Sequence, residues 1–296
     1  MTKFKPLISG LSFTECPRWH GGRLYFSDFY TRRVLAVGLD GAIDTIAEIP
    51  GRPSGLGFLP DGRMLIVSMR DRKIMRRELD GSLIEHANLS HLAPWHLNDM
   101  LVDRHGGAWV GNFGFDLMGG DKVTTTNLIS VDEDGCSTVA AVGLGFPNGM
   151  VLTPNGRTLI VAETTMNRLS AFEVASSGLS RRRTWAAFGK TPTSRNFDEL
   201  FAQLDVAPDG ICLDAEGAVW VADAKHRRCI RVAEGGHILE ELTTDGLGTF
   251  ACMLGGSNGR TLFVCVAPTF REEEASTNHQ AAIWMTTVDV PGAGLP

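Results

Sequence analysis

Six times along this chain a tight, glycine-bearing turn runs straight into four to six apolar or β-branched residues, and that recurrence limits the fold more than any other feature of the sequence. The segments are His20-GGRLYFSD, Pro60-DGRMLIVS, His105-GGAWVGN, Pro154-NGRTLIVA, Ala215-EGAVWVA and Ser257-NGRTLFVCV. Each reads as a hairpin turn followed by a strand. Their glycines stand at 21, 62, 106, 156, 217 and 259 of 296 residues, a spacing of roughly 40–60 residues that brackets the length of a four-stranded propeller blade. A second ladder of turns, Leu39-Asp40-Gly41, Leu79-Asp80-Gly81, Glu133-Asp134-Gly135, Ser177-Gly178 and Glu234-Gly235, falls where the second hairpin of each blade belongs. Helical signal is confined to Asn196–Leu204, which has a capped, periodic look. The spacing therefore predicts an all-β chain folded as one six-bladed β-propeller over residues 1–296, a closed architecture that removes most sheet edges.

This repeat also accounts for a composition that is otherwise odd. The chain has 34 glycines in 296 residues, against the ~7% of ordinary proteins, without any collagen-like period. A formal charge of −6 and no basic cluster larger than Arg181-Arg182-Arg183 argue against a nucleic-acid or anionic-membrane partner and for a small molecule. The N-terminal run MTKFKPLISGLSF lacks an apolar signal core, and no 18-residue apolar run occurs, so the expectation is a soluble, cytoplasmic protein with no membrane partner. Six scattered cysteines without a C-x-x-C pair fit buried free thiols in a reducing compartment.

In a propeller the loops that lead into each innermost strand share one face, and the Asp-Gly turns share the other. Two long irregular stretches, about 113–127 and about 181–207, both fall on the first face as insertions, the arrangement of functional loops on a rigid scaffold. The residues that begin the innermost strands on this face are polar. Ser54, Asn98, Asn148 and Asp209 each stand eight positions before their turn glycine, whereas Glu15 stands six before Gly21 and needs a local irregularity to join them. Asn148-Gly149 and Asp209-Gly210 resemble turns, but Asn155-Gly156 and Glu216-Gly217 already supply the hairpins, so the former pair begins strands. Carboxylate and amide oxygens converging on an axis are costly unless paired, and a hard divalent cation satisfies them.

Glu15-Cys16-Pro17, the Asn98-Asp99 step, Phe146-Pro147-Asn148-Gly149-Met150, and Pro208-Asp209-Gly210-Ile211 with Val219-Trp220-Val221-Ala222 together resemble the SMP-30/gluconolactonase/luciferin-regenerating-enzyme family, over roughly Leu11 to Val266. The resemblance implies a six-bladed propeller with one divalent metal held by Glu15, Asn148 and Asp209, calcium first, with manganese, zinc, magnesium and iron(II) as alternatives. It also implies that Asn98 contacts substrate or a water on the metal, and that Asp209 is the general base of lactone hydrolysis. Either Asp209 or the metal activates the water, since coordination lowers a carboxylate's basicity. One departure concerns the substrate: regucalcin-like members carry an arginine where this chain has His96, a position that reads equally as a substrate contact or a structural hydrogen-bonder. With Trp95, Phe113, Phe115, Met118 and Met69 near the expected mouth, the pocket is more apolar than a sugar lactone needs.

Other signals carry less. Gly255-Gly256-Ser257-Asn258-Gly259 has the form G-x-S-x-G but occupies a hairpin turn with no following helix, so it is no nucleophile elbow. Arg181-Arg182-Arg183 reads as a solvated turn opening the second insertion. The expectation is thus a metal-dependent hydrolase, foremost a lactonase acting on a small lactone. The rivals are another ester or phosphotriester hydrolase at the same metal, and a non-catalytic metal-stabilised binding propeller.

Overall fold

In a computed structural model, which describes residues 4–294, the chain forms six four-stranded antiparallel sheets. Their innermost strands, Thr14–His20, Pro53–Phe58, Leu97–Val102, Pro147–Leu152, Pro208–Leu213 and Gly248–Gly255, contact one another in sequence order and close back on the first. This is the expected six-bladed β-propeller. The Asp-Gly ladder lies where it was expected, with Gly41, Gly81, Gly135, Gly178 and Gly235 all at positive φ in turns.

Alternation makes the blades. In the second strands Met64–Ser68, Ala108–Asn112 and Val219–Asp223 every residue is buried, because neighbouring blades cover both faces. Trp220, Phe26 and Phe263 are wholly enclosed between blades, and burial of such side chains contributes about 1.5–3 kcal/mol each. Outer strands face water and lose the apolar pattern. The strand Gly178–Ala187 is exposed through Arg181, Arg182 and Arg183, which corrects two expectations: the arginine run lies in a strand, and the second insertion is the link 188–207 that follows it. The first insertion likewise ends at residue 125, where the strand Thr126–Val131 begins.

Ring closure uses a strand that the repeat did not announce. The last blade has only three strands after Thr244, and Lys5–Leu11 completes it, pairing antiparallel with Ala281–Thr287 from Lys5↔Met285 to Leu11↔Ala281. Between Thr261–Ala267 and Ala281–Thr287 lies a helix, Glu272–Asn278, with three glutamates in its first turn, a placement that favours the helix dipole. The expected helix is present as Phe197–Ala202, and the Asn196 side chain caps it by accepting from Glu199 N–H at 3.1 Å. All six cysteines are free, five buried and Cys136 exposed. Among the described residues no helix is long and apolar enough to cross a membrane.

Candidate functional site

Every innermost strand shifts register just inside its start, for example between Glu15 and Arg18, Leu97 and Met100, Pro147 and Met150, and Pro208 and Ile211. A bulge at that point turns a side chain away from the sheet. The pairings Thr14↔Asp28, Leu97↔Asn112, Pro147↔Glu163 and Pro208↔Asp223 align the blades. Glu15, Asn98, Asn148 and Asp209 therefore occupy the same place in four blades. The short offset of Glu15 has a simple origin: the first hairpin closes through Gly21-Gly22 between His20 and Arg23, whereas later ones join Val102 to Ala108 and Leu213 to Val219. Glycines follow Asn148 and Asp209 because the innermost strands nearly touch. A Cβ at Gly149 would sit 2.5 Å from Ile211 N, and one at Gly210 would sit 2.5 Å from the Ala251 Cβ.

Glu15, Asn98, Asn148 and Asp209 line one cavity of about 370 Å³, and His96 lines it with them. All four ring residues are buried. Among the described residues the Glu15 carboxylate accepts from Cys16 N–H at 3.2 Å, and neither it nor Asp209 forms an ion pair. Burial raises the pKa of Glu15 well above the usual carboxylate range, and the charges of Asp209 and Asp99 add to it. Burial likewise raises that of Asp209, with Asp99 adding and a hydrogen bond from Asn148 opposing. Asn148 Nδ2 also lies 3.2 Å from Thr164 Oγ1, which donates to the Pro208 carbonyl at 2.8 Å. The buried Asn98 Nδ2 has no hydrogen-bond partner among the described residues.

Asp99 and Arg18 were not singled out from the sequence. Arg18 is buried close by, yet its guanidinium is held by Asp99 at 2.7 Å and by the Met100 and Pro17 carbonyls at 2.7 and 2.9 Å. It is therefore committed below the floor and does not pair with Glu15. The Asn98-Asp99 step was the available signal, because one bulge sends its two polar side chains different ways.

The donor set fits a hard divalent cation: two buried carboxylates without a cationic partner, with amide groups beside them. Among the described residues no three of His, Cys, Asp and Glu converge as a metal cluster. His96 is placed differently. Its ring stacks on Trp95 at 4.9 Å and meets the edge of Phe113 at 6.1 Å. Burial, followed by the charges of Arg52 and Arg70, pulls its pKa down to about 4, so it is neutral at pH 7.

The walls come from the links between blades. Phe113, Asp116, Leu117, Met118 and Gly119 of the first insertion and Phe197 and Phe201 of the capped helix line the cavity. Met69 and Trp95 line it as expected, whereas Phe115 turns into the cluster of Val123, Leu200, Leu204 and Ala207 beneath the loops. The segment between the last two long strands was not foreseen. Phe270 and Glu272 line the cavity, and Glu272 is gripped by Arg52 at 2.5 Å and Arg70 at 2.9 Å.

Residues 13–268 match the family model described as the SMP-30/Gluconolactonase/LRE-like region. Pentonolactonase XacC of Haloferax volcanii is 27% identical over 227 residues, covering 75% of this chain and 70% of the relative. The 6-deoxy-6-sulfogluconolactonase of Pseudomonas putida is 25% identical over 292 residues, covering 95% and 93%. Among solved structures, a luciferin-regenerating enzyme superposes with a TM-score of 0.80 at 18% identity, covering 99% of this chain and 97% of that one. The calcium-binding protein regucalcin from Agrobacterium tumefaciens does so with 0.79 at 19%, again covering 99% and 97%.

Proposed function

Because the chain belongs to the SMP-30/gluconolactonase/LRE-like family, we propose that it is a divalent-metal-dependent lactonase with its site at the start of the innermost strands. The observation that carries this reading is the buried Glu15–Asp209 carboxylate pair, which has no cationic partner yet lines a cavity large enough for a small molecule. Two curated relatives are named for lactone hydrolysis, a pentonolactonase and a sulfogluconolactonase, which supports the reaction class.

Glu15, Asn148 and Asp209 would hold the cation, calcium foremost. When bound, such an ion polarises an ester carbonyl and stabilises charge on its oxygen. Asn98 donates through its unpartnered Nδ2 to an oxygen of the substrate. Asp209 would take a proton from water at a carboxylate oxygen. The water oxygen bonds to the carbonyl carbon, the ring C–O bond breaks, and the departing ring oxygen takes up a proton to become a hydroxyl. His96, neutral and held between rings, forms wall and does not supply charge.

The test is acid release from small lactones, followed with a pH indicator after exhaustive chelation and after return of Ca²⁺, Mn²⁺, Zn²⁺, Mg²⁺ or Fe²⁺ separately. Hydrolysis returns with a divalent ion. Undiminished activity in the chelated protein would overturn the metal-dependent reading, and turnover of a phosphotriester but no lactone would move the assignment to a different ester chemistry at the same ring.

A further inference from the structure

We propose that the substrate is a lactone with an apolar, ring-bearing or alkyl body, recognised by two aromatic clusters that face each other across the propeller axis. This rests on the lactonase reading for the reaction and goes beyond it in naming what the rest of the cavity grips. One cluster comes from the first and last blades, where Phe13 packs edge-on against Phe250 at 4.8 Å and Phe29 at 5.4 Å. The other comes from the third and fourth, where Phe113 packs on Phe146 at 4.5 Å. In a closed ring of six these blade pairs are opposite one another, and all four of Phe13, Phe250, Phe113 and Phe146 line the cavity.

Several polar groups in the walls are engaged with one another. Glu272 is shared by Arg52 and Arg70. Tyr30 donates its hydroxyl to the Phe270 carbonyl, and Thr164 donates to the Pro208 carbonyl at 2.8 Å. Asp116 accepts from Gly119 N–H at 2.7 Å. His96 is neutral at pH 7, and its neighbours are Trp95 and Phe113. The Asn98 amide nitrogen and the two floor carboxylates, which form no ion pair among the described residues, lie where the reacting ester must sit, while the His96 ring and the remaining donors of Arg52 and Arg70 are the polar groups left to the walls.

Such a cavity has one polar end and an apolar body. A polyhydroxylated sugar lactone would set hydroxyls against these four phenylalanines, and each hydroxyl that loses water there without gaining a partner costs roughly tenfold or more in binding. An aryl or alkyl lactone places its ester at the floor and its carbon skeleton between the clusters, with rings at the edge-on and offset distances that aromatic pairs prefer.

Two measurements on the metal-loaded full chain decide it. The first compares kcat/KM for 3,4-dihydrocoumarin and δ-decalactone with that for D-glucono-1,5-lactone, and we expect the apolar pair to lead by at least about tenfold. The second compares binding of hydrolysis-resistant lactams by calorimetry, 3,4-dihydroquinolin-2-one against D-gluconolactam, with the same preference expected. Replacing Phe146 by Ala should shrink both ratios severalfold. Equal or better kcat/KM and binding for the sugar compounds would overturn the apolar-substrate proposal and leave the lactonase reading intact. No turnover of any lactone, together with selective binding of the aromatic lactam, would sustain the apolar body and overturn the lactonase reading.

Discussion

Two concentric sets of buried polar residues run around this propeller, and they differ in what has been done with their charge. The inner set begins the innermost strands: Glu15, Asn98, Asn148 and Asp209. The outer set ends the second strands, one strand further out in the same blades: Asp28, Asn112, Glu163 and Asp223. Every outer carboxylate is saturated. Glu163 accepts from Gly145 N–H at 2.8 Å and Arg182 at 2.8 Å, from Arg168 at 2.9 Å, and from the Ser170 hydroxyl. Asp223 accepts from Ala207 N–H at 3.1 Å and Arg228 at 2.8 Å. Asp28 accepts from the backbone of Ser12 and Phe13, both at 3.0 Å. These contacts tie the links between blades to the sheets. The inner carboxylates are buried to a similar degree and have nothing comparable. Burial opposes ionisation of Glu163 too, but its arginines, serine and backbone donor outweigh it and hold the carboxyl below its usual range, whereas Glu15 and Asp209 are pushed above theirs. A buried carboxylate with its partners in place is architecture. One without them marks where something else binds.

The sharpest way to break this distinction is to neutralise a member of each set. Asp209→Ala and Glu15→Gln should each cut lactone hydrolysis by about 10³-fold or more, since under the proposed function they would remove the base and a donor of the metal site. Neither should lower the melting temperature of the metal-free protein at neutral pH, because each removes an uncompensated buried charge. A variant of this pair that stays active would place the inner ring among the structural residues.

Glu163→Gln should do the reverse. Breaking a buried, hydrogen-bonded ion pair costs about 3–5 kcal/mol, and the two arginines around Glu163 are about a quarter exposed, which puts the expected loss near ~3 kcal/mol in urea unfolding. Metal affinity should not change. Its pH dependence has a definite sign as well. The folded-state pKa of Glu163 is depressed, so its contribution is present above the ordinary carboxylate pKa and is lost as pH falls through the folded value. The Gln variant should lack that acid-side loss, and parallel acid profiles for the two proteins would show that Glu163 contributes no such linkage.

A smaller effect couples the two sets to metal. A ligand that binds only the folded state stabilises it by about 2.7 kcal/mol at one hundred times its dissociation constant. Wild type and Glu163→Gln should gain this equally when the ion is added, and Glu15→Gln should gain little. Thermal melts of the three proteins with and without the ion measure it. An equal gain in Glu15→Gln would remove that residue from the metal site.

The repeat made the blades and the inner ring legible because both are written at a fixed offset from a glycine turn. Even the misaligned Glu15 was recoverable, since its shorter offset comes from a two-residue hairpin turn and not from a different place in the blade. The outer ring is written in the same repeat, as the last residue of FSD, VGN, VAE and VAD, but a single polar residue closing an apolar run looks like an ordinary strand end. Residues outside the repeat stayed hidden. Arg52, Arg70 and Glu272 meet only through folding, and Lys5–Leu11 closes the ring from the far end of the chain. Arg181-Arg182-Arg183 was misread because an outermost strand is solvated and shows no apolar alternation.

His96 stands between the two sets and sharpens the comparison from the wall side. It lines the cavity but offers no charge, because burial and the nearby Arg52 and Arg70 lower its pKa from 6.5 to about 4. Between those two values the unfolded chain binds a proton that the folded protein does not, so stability rises with pH across the window and is lost on acidification from about 6.5 toward 4. His96→Phe keeps the ring in the aromatic wall and removes this linkage. Urea midpoints at pH 7, 5.5 and 4.5 should therefore fall more steeply for wild type than for the variant. Since neither protein loses a hydrogen bond that the His96 side chain makes, the two midpoints should lie close together at pH 7 and separate as the pH drops. Midpoints that stay parallel would mean that His96 binds its proton equally well in the folded and unfolded states, so that the aromatic wall does not lower its pKa.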